Sequence, residues 1–212
     1  MAQITPAANF DGNPGIQFCQ GEDRSILMTL YDQVSGQPVD LATGSPVVEI
    51  NLPLNGGGSI KRTTGVVTAL CANVSPTPAN SVSLTDHGFV TGDPVEVAAT
   101  GGSTLPGGLT ASTPYLINVL DNNDFQFTNP TTGAVISLTS QGSGSFTITN
   151  TTPDLAITTG LLGQVTFTLR ALVSAAVNAG LAQSFQVSFT ISGLTRIVVV
   201  QNLLNILNQP VP

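Results

Sequence analysis

Apolar and polar residues alternate along much of this chain with a period of two, which is the pattern of half-buried β-strands. The clearest case is residues 184–192, where Phe185, Val187, Phe189 and Ile191 alternate with Gln, Ser and Thr. Burying these four side chains contributes about 6–12 kcal/mol before chain entropy is subtracted. One face of this strand must therefore meet a core.

Three shorter segments repeat the alternation and predict further strands at residues 26–30, 48–52 and 165–169. A last strand is predicted for the β-branched run at 197–200. Ser192-Gly193, just before it, is typical of a tight hairpin connection. These flanking segments together predict an antiparallel sandwich.

The middle of the chain has a different residue pattern, with short apolar segments separated by Gly, Asp and Asn. It predicts strands at 82–84, 95–97, 115–119, 125–127, 136–138 and 146–148. Polar, low-complexity joints at residues 75–78 and 149–153 bracket this stretch. We therefore predict a discontinuous outer domain of residues 1–66 and 151–212, with a domain of residues 67–150 inserted into it.

Two segments towards the C-terminus leave alternatives open. The Ala-rich segment 171–179, followed by Gly180, predicts either a short helix or a loop. The tail after the last strand either completes the sandwich or docks on a neighbouring subunit. Its four apolar residues are the candidate assembly contacts: Leu203, Leu204, Ile206 and Leu207.

Composition supports an all-β fold and narrows the function. The 22 Gly and 14 Pro among 212 residues favour many turns. Only 8% of residues are charged, against about 25% in an average soluble domain, so Thr, Ser, Asn and Gln must cover most of the surface. Burying such a surface against other subunits costs less desolvation energy than burying Lys and Glu, which suits a part of an assembly.

The charge distribution predicts no direct nucleic-acid binding. The formal net charge is −7, and of the five cations only Lys61 and Arg62 are adjacent, whereas nucleic-acid binding needs clustered Lys and Arg. Residues 1–10 lack the features of a signal peptide, and no run reaches the ~18 apolar residues of a membrane span. We expect assembly in the cytoplasm without membrane contact, and reduced, partly buried thiols at Cys19 and Cys71.

The candidate catalytic residues favour structural roles. A hydrolytic triad needs a base, and the single His of the chain, His87, lies in a turn bounded by Gly. The carboxylates that glycoside cleavage would need come from turns in which Asp normally caps backbone amides, namely Asp86, Asp93, Asp121 and Asp124. We therefore predict no catalytic residue and no enzyme activity.

No cofactor or metal site is predicted. Residues 56–59 with Lys61 lack the Gly-Lys-Ser/Thr ending of a phosphate-binding loop and favour a hairpin loop. Residues 121–124 are rich in oxygen ligands but lack the long loop and final Glu of a calcium site, so a turn is expected. With no Trp, and with Tyr31 and Tyr115 in strands, the sequence favours at most weak glycan binding.

One resemblance to a known family covers about residues 82–148. Its motifs are residues 86–95 (DHGFVTGDPV), 105–110 (LPGGLT), 115–119 (YLINV) and 124–127 (DFQF). These resemble the small β-barrel modules of phage virion proteins often described as similar to the first catalytic cysteine half-domain of ubiquitin-activating enzymes. The resemblance implies a small β-barrel without ubiquitin chemistry. Its signature residues are His87, Gly88, Phe89, Gly92, Asp93, Leu105, Pro106, Gly108, Leu109 and Tyr115.

The signature also has a physical interpretation without the family. The Gly residues form turns on both sides of Phe89, whose side chain is expected to fold inward onto Val95 and Val97. The loop at 105–109 has apolar ends, and the strand at 115–119 alternates. We therefore expect every signature residue to have a role in folding.

The outer domain carries a second resemblance. Residues 18–23 leading into 26–30, then 39–41, 163–167 and 185–189 resemble the immunoglobulin-like domains of phage baseplate upper proteins. The expected fold is thus an immunoglobulin-like antiparallel sandwich with an inserted small β-barrel domain.

Together the two resemblances imply a structural component of a tailed-phage virion, associated with tail, baseplate or neck. Its expected partners are other virion proteins and copies of itself, in a symmetric assembly formed in the host cytoplasm. The alternatives are a capsid decoration or cement protein, a host-surface glycan-binding module or adhesin, and, least favoured, a glycan hydrolase.

Overall fold

A computed structural model of the chain describes residues 2–6, 16–19, 23–32, 37–53, 59–152, 154–170, 180–191 and 194–207. The regular structure in these ranges consists of β-strands and two single-turn 3-10 helices, so the all-β prediction is confirmed. None of the described segments contains a helix long and apolar enough to cross a membrane.

The chain divides into two compact units, one of them discontinuous in sequence. The outer unit comprises Met1–Thr64 and Pro153–Pro212, and the inserted unit comprises Gly65–Thr152. The boundaries drawn from the sequence, at 67 and 150, each differ from these by two residues.

The outer unit contains one sheet of four antiparallel strands. In spatial order they are β1 (Ala2–Pro6), β3 (Arg24–Asp32), β14 (Gln164–Leu169) and β13 (Leu155–Thr159). The alternation seen in the sequence decides which face is buried, because Met28, Leu30, Val165 and Phe167 are at most 1% exposed.

A second sheet of the outer unit has five strands. In spatial order they are β2 (Ile16–Cys19), β16 (Leu194–Leu207), β15 (Gly180–Ile191), β4 (Val47–Pro53) and β5 (Ser59–Thr63). Only the β2–β16 pair among these strands is parallel. Ile191 lies opposite Leu194 in the antiparallel β15–β16 pair. Ser192 and Gly193, for which a tight hairpin connection was predicted, lie outside the described residues.

The outer unit is sandwich-like. Both edge strands of its four-stranded sheet lie close to the other sheet, with β1 beside β16 and β13 beside β4. The second sheet also contributes buried apolar residues: Val48, Ile50, Leu52, Ile60 and Val187.

The inserted unit contains one sheet of seven antiparallel strands. In spatial order they are β6 (Val67–Leu70), β12 (Ser145–Asn150), β9 (Pro94–Ala99), β10 (Tyr115–Val119), β11 (Asp124–Thr128), β8 (Ser81–Ser83) and β7 (Val74–Ser75). The two edge strands β6 and β7 are joined by a single 3-10 turn, η1 (Cys71–Asn73). Because three residues separate the two edges, the sheet curves around its core.

Each of the seven strands contributes to this core. The buried cluster includes Ala69, Val74, Val82, Val95, Val97, Tyr115, Ile117, Phe125, Phe127, Phe146 and Ile148. The two ends of the unit are adjacent, since Ile148 of β12 lies opposite Val67 of β6. Adjacent ends are what an insertion into a loop of another unit requires.

The prediction of a strand at 136–138 is wrong. The Ile136 amide donates to the Phe127 carbonyl at 2.8 Å, whereas the Leu138 amide donates to Asn80 Oδ1 at 2.9 Å. These two amides therefore have unrelated partners and build no ladder. Ile136 packs on the core, and Leu138, at 2% exposed, belongs to it, so both side chains reach the core from a loop.

The prediction that residues 75–78 form a joint between domains is also wrong. This segment lies inside the inserted unit, where it ends β7 and turns towards β8. Strands β6 and β7 were not predicted, because four and two residues are too short to show a period. Residues 171–179, for which a helix or a loop was predicted, lie outside the described residues, and Gly180 begins β15.

Candidate functional site

The first group of signature residues joins two loops at one end of the inserted unit. The His87 amide donates to the Asn122 carbonyl at 3.3 Å, and the Leu84 amide donates to the Asn123 carbonyl at 2.7 Å. His87 Nε2 lies 2.9 Å from the Asp121 carbonyl oxygen. The segment before β9 is thereby tied to the turn between β10 and β11.

Both ring nitrogens of His87 have partners, and these assign its tautomer. Nδ1 accepts the Phe89 amide at 3.0 Å, so the proton of the neutral ring must sit on Nε2 and be donated to the Asp121 carbonyl. The residue is 4% exposed. Burial lowers the pKa of the imidazole below its usual value, although the Asp121 carbonyl and the nearby carboxylates act in the opposite direction.

The His87 ring packs against two phenylalanine rings. His87 stacks on Phe89 with centroids 5.5 Å apart, and both rings meet Phe125 edge-on at 5.1 and 5.2 Å. Phe89 is 7% exposed and belongs to the same core cluster as Val95 and Val97. The prediction that Phe89 fills the core is confirmed.

Asp93 caps the turn that follows Phe89. Its Oδ2 accepts the Val90 amide at 2.8 Å, while its own amide donates to the Val90 carbonyl at 3.0 Å. Gly92 has a φ of 93°, which favours glycine, and its amide donates to the Ile117 carbonyl at 2.7 Å. The buried carboxylate of Asp93 thus stabilises this turn.

The other candidate carboxylates do not form a dyad with His87. Asp121 Oδ1 accepts the amides of Asn123 and Asp124 at 2.7 and 2.9 Å, so Asp121 meets His87 through its carbonyl. The Asp124 carboxylate bonds to the Ser83 hydroxyl. Asp86 has a φ of 50°, and its amide donates to Asn123 Oδ1. A turn at residues 121–124 was predicted and is observed.

The second group of signature residues forms a loop packed on residues 136–140. Gly107 exchanges backbone hydrogen bonds with Ser140 and Thr139, and Gly108 has a φ of 98° directly against the Ser137 carbonyl. Leu105 packs on the core, and Pro106 and Leu109 are buried. Tyr115 is buried in β10, and its hydroxyl accepts the Thr110 amide at 2.8 Å.

Cys71 is a free, buried thiol. Its Sγ lies 3.5 and 3.4 Å from the carbonyls of Thr104 and Ser143. Burial raises the pKa of this thiol, although the Ser143 backbone hydrogen bond acts in the opposite direction. The side chain of Cys19, in β2, lies outside the described part of the structure.

The candidate metal and phosphate segments are the turn at residues 121–124 and the loop before Lys61. No group of three or more His, Cys, Asp or Glu side chains suited to a metal ion occurs among the described residues. Strands β4 and β5 pair antiparallel from Pro53 opposite Ser59 to Glu49 opposite Thr63, as a hairpin requires. Residues 54–58 between them lie outside the described residues.

A buried ion cluster joins the two chain segments of the outer unit that flank the insertion. The Asp154 carboxylate lies 2.7 Å from Arg62 Nε and accepts two hydrogen bonds from Arg170. The side chains of Arg62 and Asp154 are 3% and 1% exposed. Arg62 lies near the end of the first segment and Asp154 near the start of the second, so the cluster holds the two together.

One exposed apolar feature of the outer unit was not predicted. Leu161 and Leu162 are 71% and 50% exposed in the 3-10 turn η2 (Gly160–Leu162) between β13 and β14. The Gly160 carbonyl accepts the Leu41 amide, and the Gly163 carbonyl accepts the Leu30 amide, both at 2.9 Å. The backbone is therefore fixed on both sides of the two leucines.

Glycine is required at both ends of this turn. A Cβ at Gly160 would lie 2.8 Å from the Ala42 amide nitrogen, and one at Gly163, which has a φ of 63°, would lie 2.6 Å from the Leu30 carbonyl. The close approach of the turn to these segments directs the two leucines to solvent. The signal in the sequence was two adjacent Leu between glycines, which a period of two cannot bury together.

The candidate assembly contacts Leu203, Leu204, Ile206 and Leu207 lie in β16. The backbone there pairs with β15 on one side and with β2 on the other, Leu204 lying opposite Ile16 and Leu207 opposite Cys19. Of the two alternatives for the tail, its backbone up to Leu207 completes a sheet. The side chains of these four residues lie outside the described part of the structure.

Comparison with protein-family models and with curated proteins finds no match to the chain.

Proposed function

We propose that the chain is a structural component of a tailed-phage virion, associated with tail, baseplate or neck, that acts through protein-protein contacts in a symmetric assembly. The observation that carries this proposal is the exposed Leu161-Leu162 pair on a turn that two glycines fix in place. Apolar side chains that are held rigidly in solvent favour a role in binding another protein.

The surface of the inserted unit supports the same proposal. Residues 65–152 contain no Lys or Arg and five acidic residues, of which Asp93 is buried. The remaining surface is mainly Thr, Ser, Asn, Gln and Gly. It can be covered by a neighbouring subunit at a small desolvation cost, because few charges lose water.

We also propose a specific fold for each of the two units. For the inserted unit, a small β-barrel is supported by the single turn η1 that joins both edges of the sheet and by a core to which all seven strands contribute. For the outer unit, an immunoglobulin-like sandwich is supported by two largely antiparallel sheets with buried inner faces. The motif resemblances to phage proteins favour both.

A single contact through the two leucines would be weak. Burying their exposed parts contributes about 2 kcal/mol, less than the 4.1 kcal/mol of a millimolar complex. Repetition around a closed ring multiplies such contacts at a high effective concentration. The proposed mechanism is therefore attachment by many equal contacts.

The deciding experiment is antibody labelling of intact particles from the phage that carries this gene. Label on the tail, baseplate or neck supports the proposal, and label on the head favours a capsid decoration protein. Particles that carry no label and contain no peptide of the chain by mass spectrometry would overturn the virion assignment.

The contact itself is tested with Leu161→Ser combined with Leu162→Ser. We expect at least a tenfold lower occupancy on particles, with an unchanged circular dichroism spectrum. Leu120→Ser is the matched control, since Leu120 is also 50% exposed but lies in the inserted unit. Full occupancy of the double variant would show that the contact lies elsewhere.

A further inference from the structure

The contacts of His87 depend on its protonation state. Nδ1 must carry a lone pair to accept the Phe89 amide, and Nε2 must carry the proton that is donated to the Asp121 carbonyl. One neutral tautomer satisfies both contacts. The ring therefore holds Phe89 from its own segment and the turn at 120–124 from the other.

A second proton on the ring would break this arrangement. Protonated Nδ1 is a donor and would face the donating amide of Phe89 at 3.0 Å. The charge would also lie against the rings of Phe89 and Phe125 in a residue that is 4% exposed. Burying a charge without a compensating hydrogen bond is unfavourable.

We propose that His87 is an acid-sensitive latch, whose protonation releases the segment around Phe89 from the turn at 120–124 and exposes the Phe89 ring. This device is independent of the role in a virion. It converts a fall in pH into an exposed aromatic side chain at one end of the inserted unit.

The titratable groups that face His87 are Asp86 from its own segment and Asp121 from the opposing turn, and the backbone of Asp124 acts in the same direction. They favour the charged ring, but burial is the larger effect and the pKa of closed His87 lies below 6.5. In the open segment His87 has its ordinary pKa, so its imidazole binds the proton more tightly there than in the closed segment. The latch is at full strength above pH ~6.5 and weakens as the pH falls from there towards the pKa of the closed state.

Hydrogen exchange of the full chain at pH 7.5 and 5.0 tests the latch, after correction for intrinsic exchange rates. We expect protection of peptides covering residues 84–92 to fall by about tenfold at pH 5.0, because opening is coupled to the uptake of one proton. Peptides covering β12, whose Phe146 and Ile148 are buried in the same core, should keep their protection.

His87→Asn separates the latch from other acid effects. The Asn Oδ1 can accept the amide two residues ahead, as in an Asx-turn, and does not titrate. We expect protection of residues 84–92 in this variant to be equal at both pH values. Glu96→Gln, which removes a carboxylate from β9, is the control and should retain the tenfold fall.

The latch is overturned if protection in the unmodified chain does not change with pH, or if His87→Asn retains the fall. Should the variant not fold, the single His of the chain gives one imidazole NMR signal to titrate. A midpoint below 6.5 that moves with the loop resonances supports the latch. A midpoint at or above 6.5 refutes it.

Discussion

At the residue scale, polar side chains in the inserted unit bond to the backbone of tight turns. Asp93 accepts the Val90 amide, Asp121 accepts two amides of its own turn, and Asn129 Oδ1 accepts the amides of Thr131 and Thr132. Short side chains with acceptor oxygens stabilise turns in this way because they provide partners for turn amides that are not paired in a β-ladder. This explains why a sequence with many Asp, Asn and Gly residues folds into short strands.

Gly108 provides a test at this scale. A Cβ there would lie 2.2 Å from the Ser137 carbonyl oxygen, whereas a Cβ at Gly133 would have nothing within 4 Å. Both residues have positive φ, 98° and 70°, so both substitutions by Ala carry backbone strain of about 1–2 kcal/mol. We expect Gly108→Ala to lower the free energy of unfolding by about 2–5 kcal/mol, because the clash adds to the strain.

The measurement is urea unfolding of both variants followed by circular dichroism. Gly133→Ala should lose only the cost of the strain. Equal losses at the two positions would mean that the loop at 105–109 does not pack on residues 136–140 as described.

At the scale of elements, the position of β16 changes the interpretation of the C-terminal tail. Strand β2 pairs with β16 and with no other described strand, and these pairs involve residues 204–207. An assembly defect after deletion of the tail would therefore not identify a docking contact by itself. A folding defect must be excluded first.

Deleting residues 203–212 should lower the thermal midpoint of the outer unit by at least about 5 °C, because β2 loses its partner strand. Deleting only residues 208–212 is the matched control, since the described β2–β16 pairs end at Leu207, and it should leave the midpoint unchanged. Differential scanning calorimetry checks both. An unchanged midpoint in the longer deletion would contradict the pairing.

At the scale of the whole molecule, the chain is continuous in sequence but divided in structure. In the outer unit the buried Asp154 binds Arg62 and Arg170, and in the inserted unit β6 pairs with β12. The chain segments that leave and re-enter each unit are thereby held together within that unit. Each unit has its own buried residues, so its stability can be measured separately.

Asp154→Asn should destabilise the outer unit by about 3 kcal/mol, because it removes the negative charge of a buried ion pair. Urea unfolding with hydrogen exchange as the readout should show the loss in β3 and β14 and none in β10 and β11. Asp40→Asn is the control, as this exposed carboxylate bonds only to its own turn among the contacts described for it. Equal losses in both units would argue that they unfold as one.

The sequence by itself determined where most strands lie and which face each one buries. Side chains alternate across a strand, so Val48, Ile50 and Leu52 or Phe125 and Phe127 could be assigned to a core before any partner was known. The change to short apolar segments separated by Gly, Asp and Asn placed the predicted boundaries at 67 and 150, close to the observed ones at 65 and 152.

Only the tertiary structure decided how these segments meet. The 3-10 turn that joins both edges of the inserted sheet, the loop at 136–138, the tautomer of His87 and the contact of Arg62 with Asp154 depend on residues far apart in the chain. The outward direction of Leu161 and Leu162 likewise depends on Ala42 and Leu30 beneath the turn. A local pattern records which side of a strand is apolar, but hydrogen-bond partners and close backbone approach are fixed when distant segments pack together.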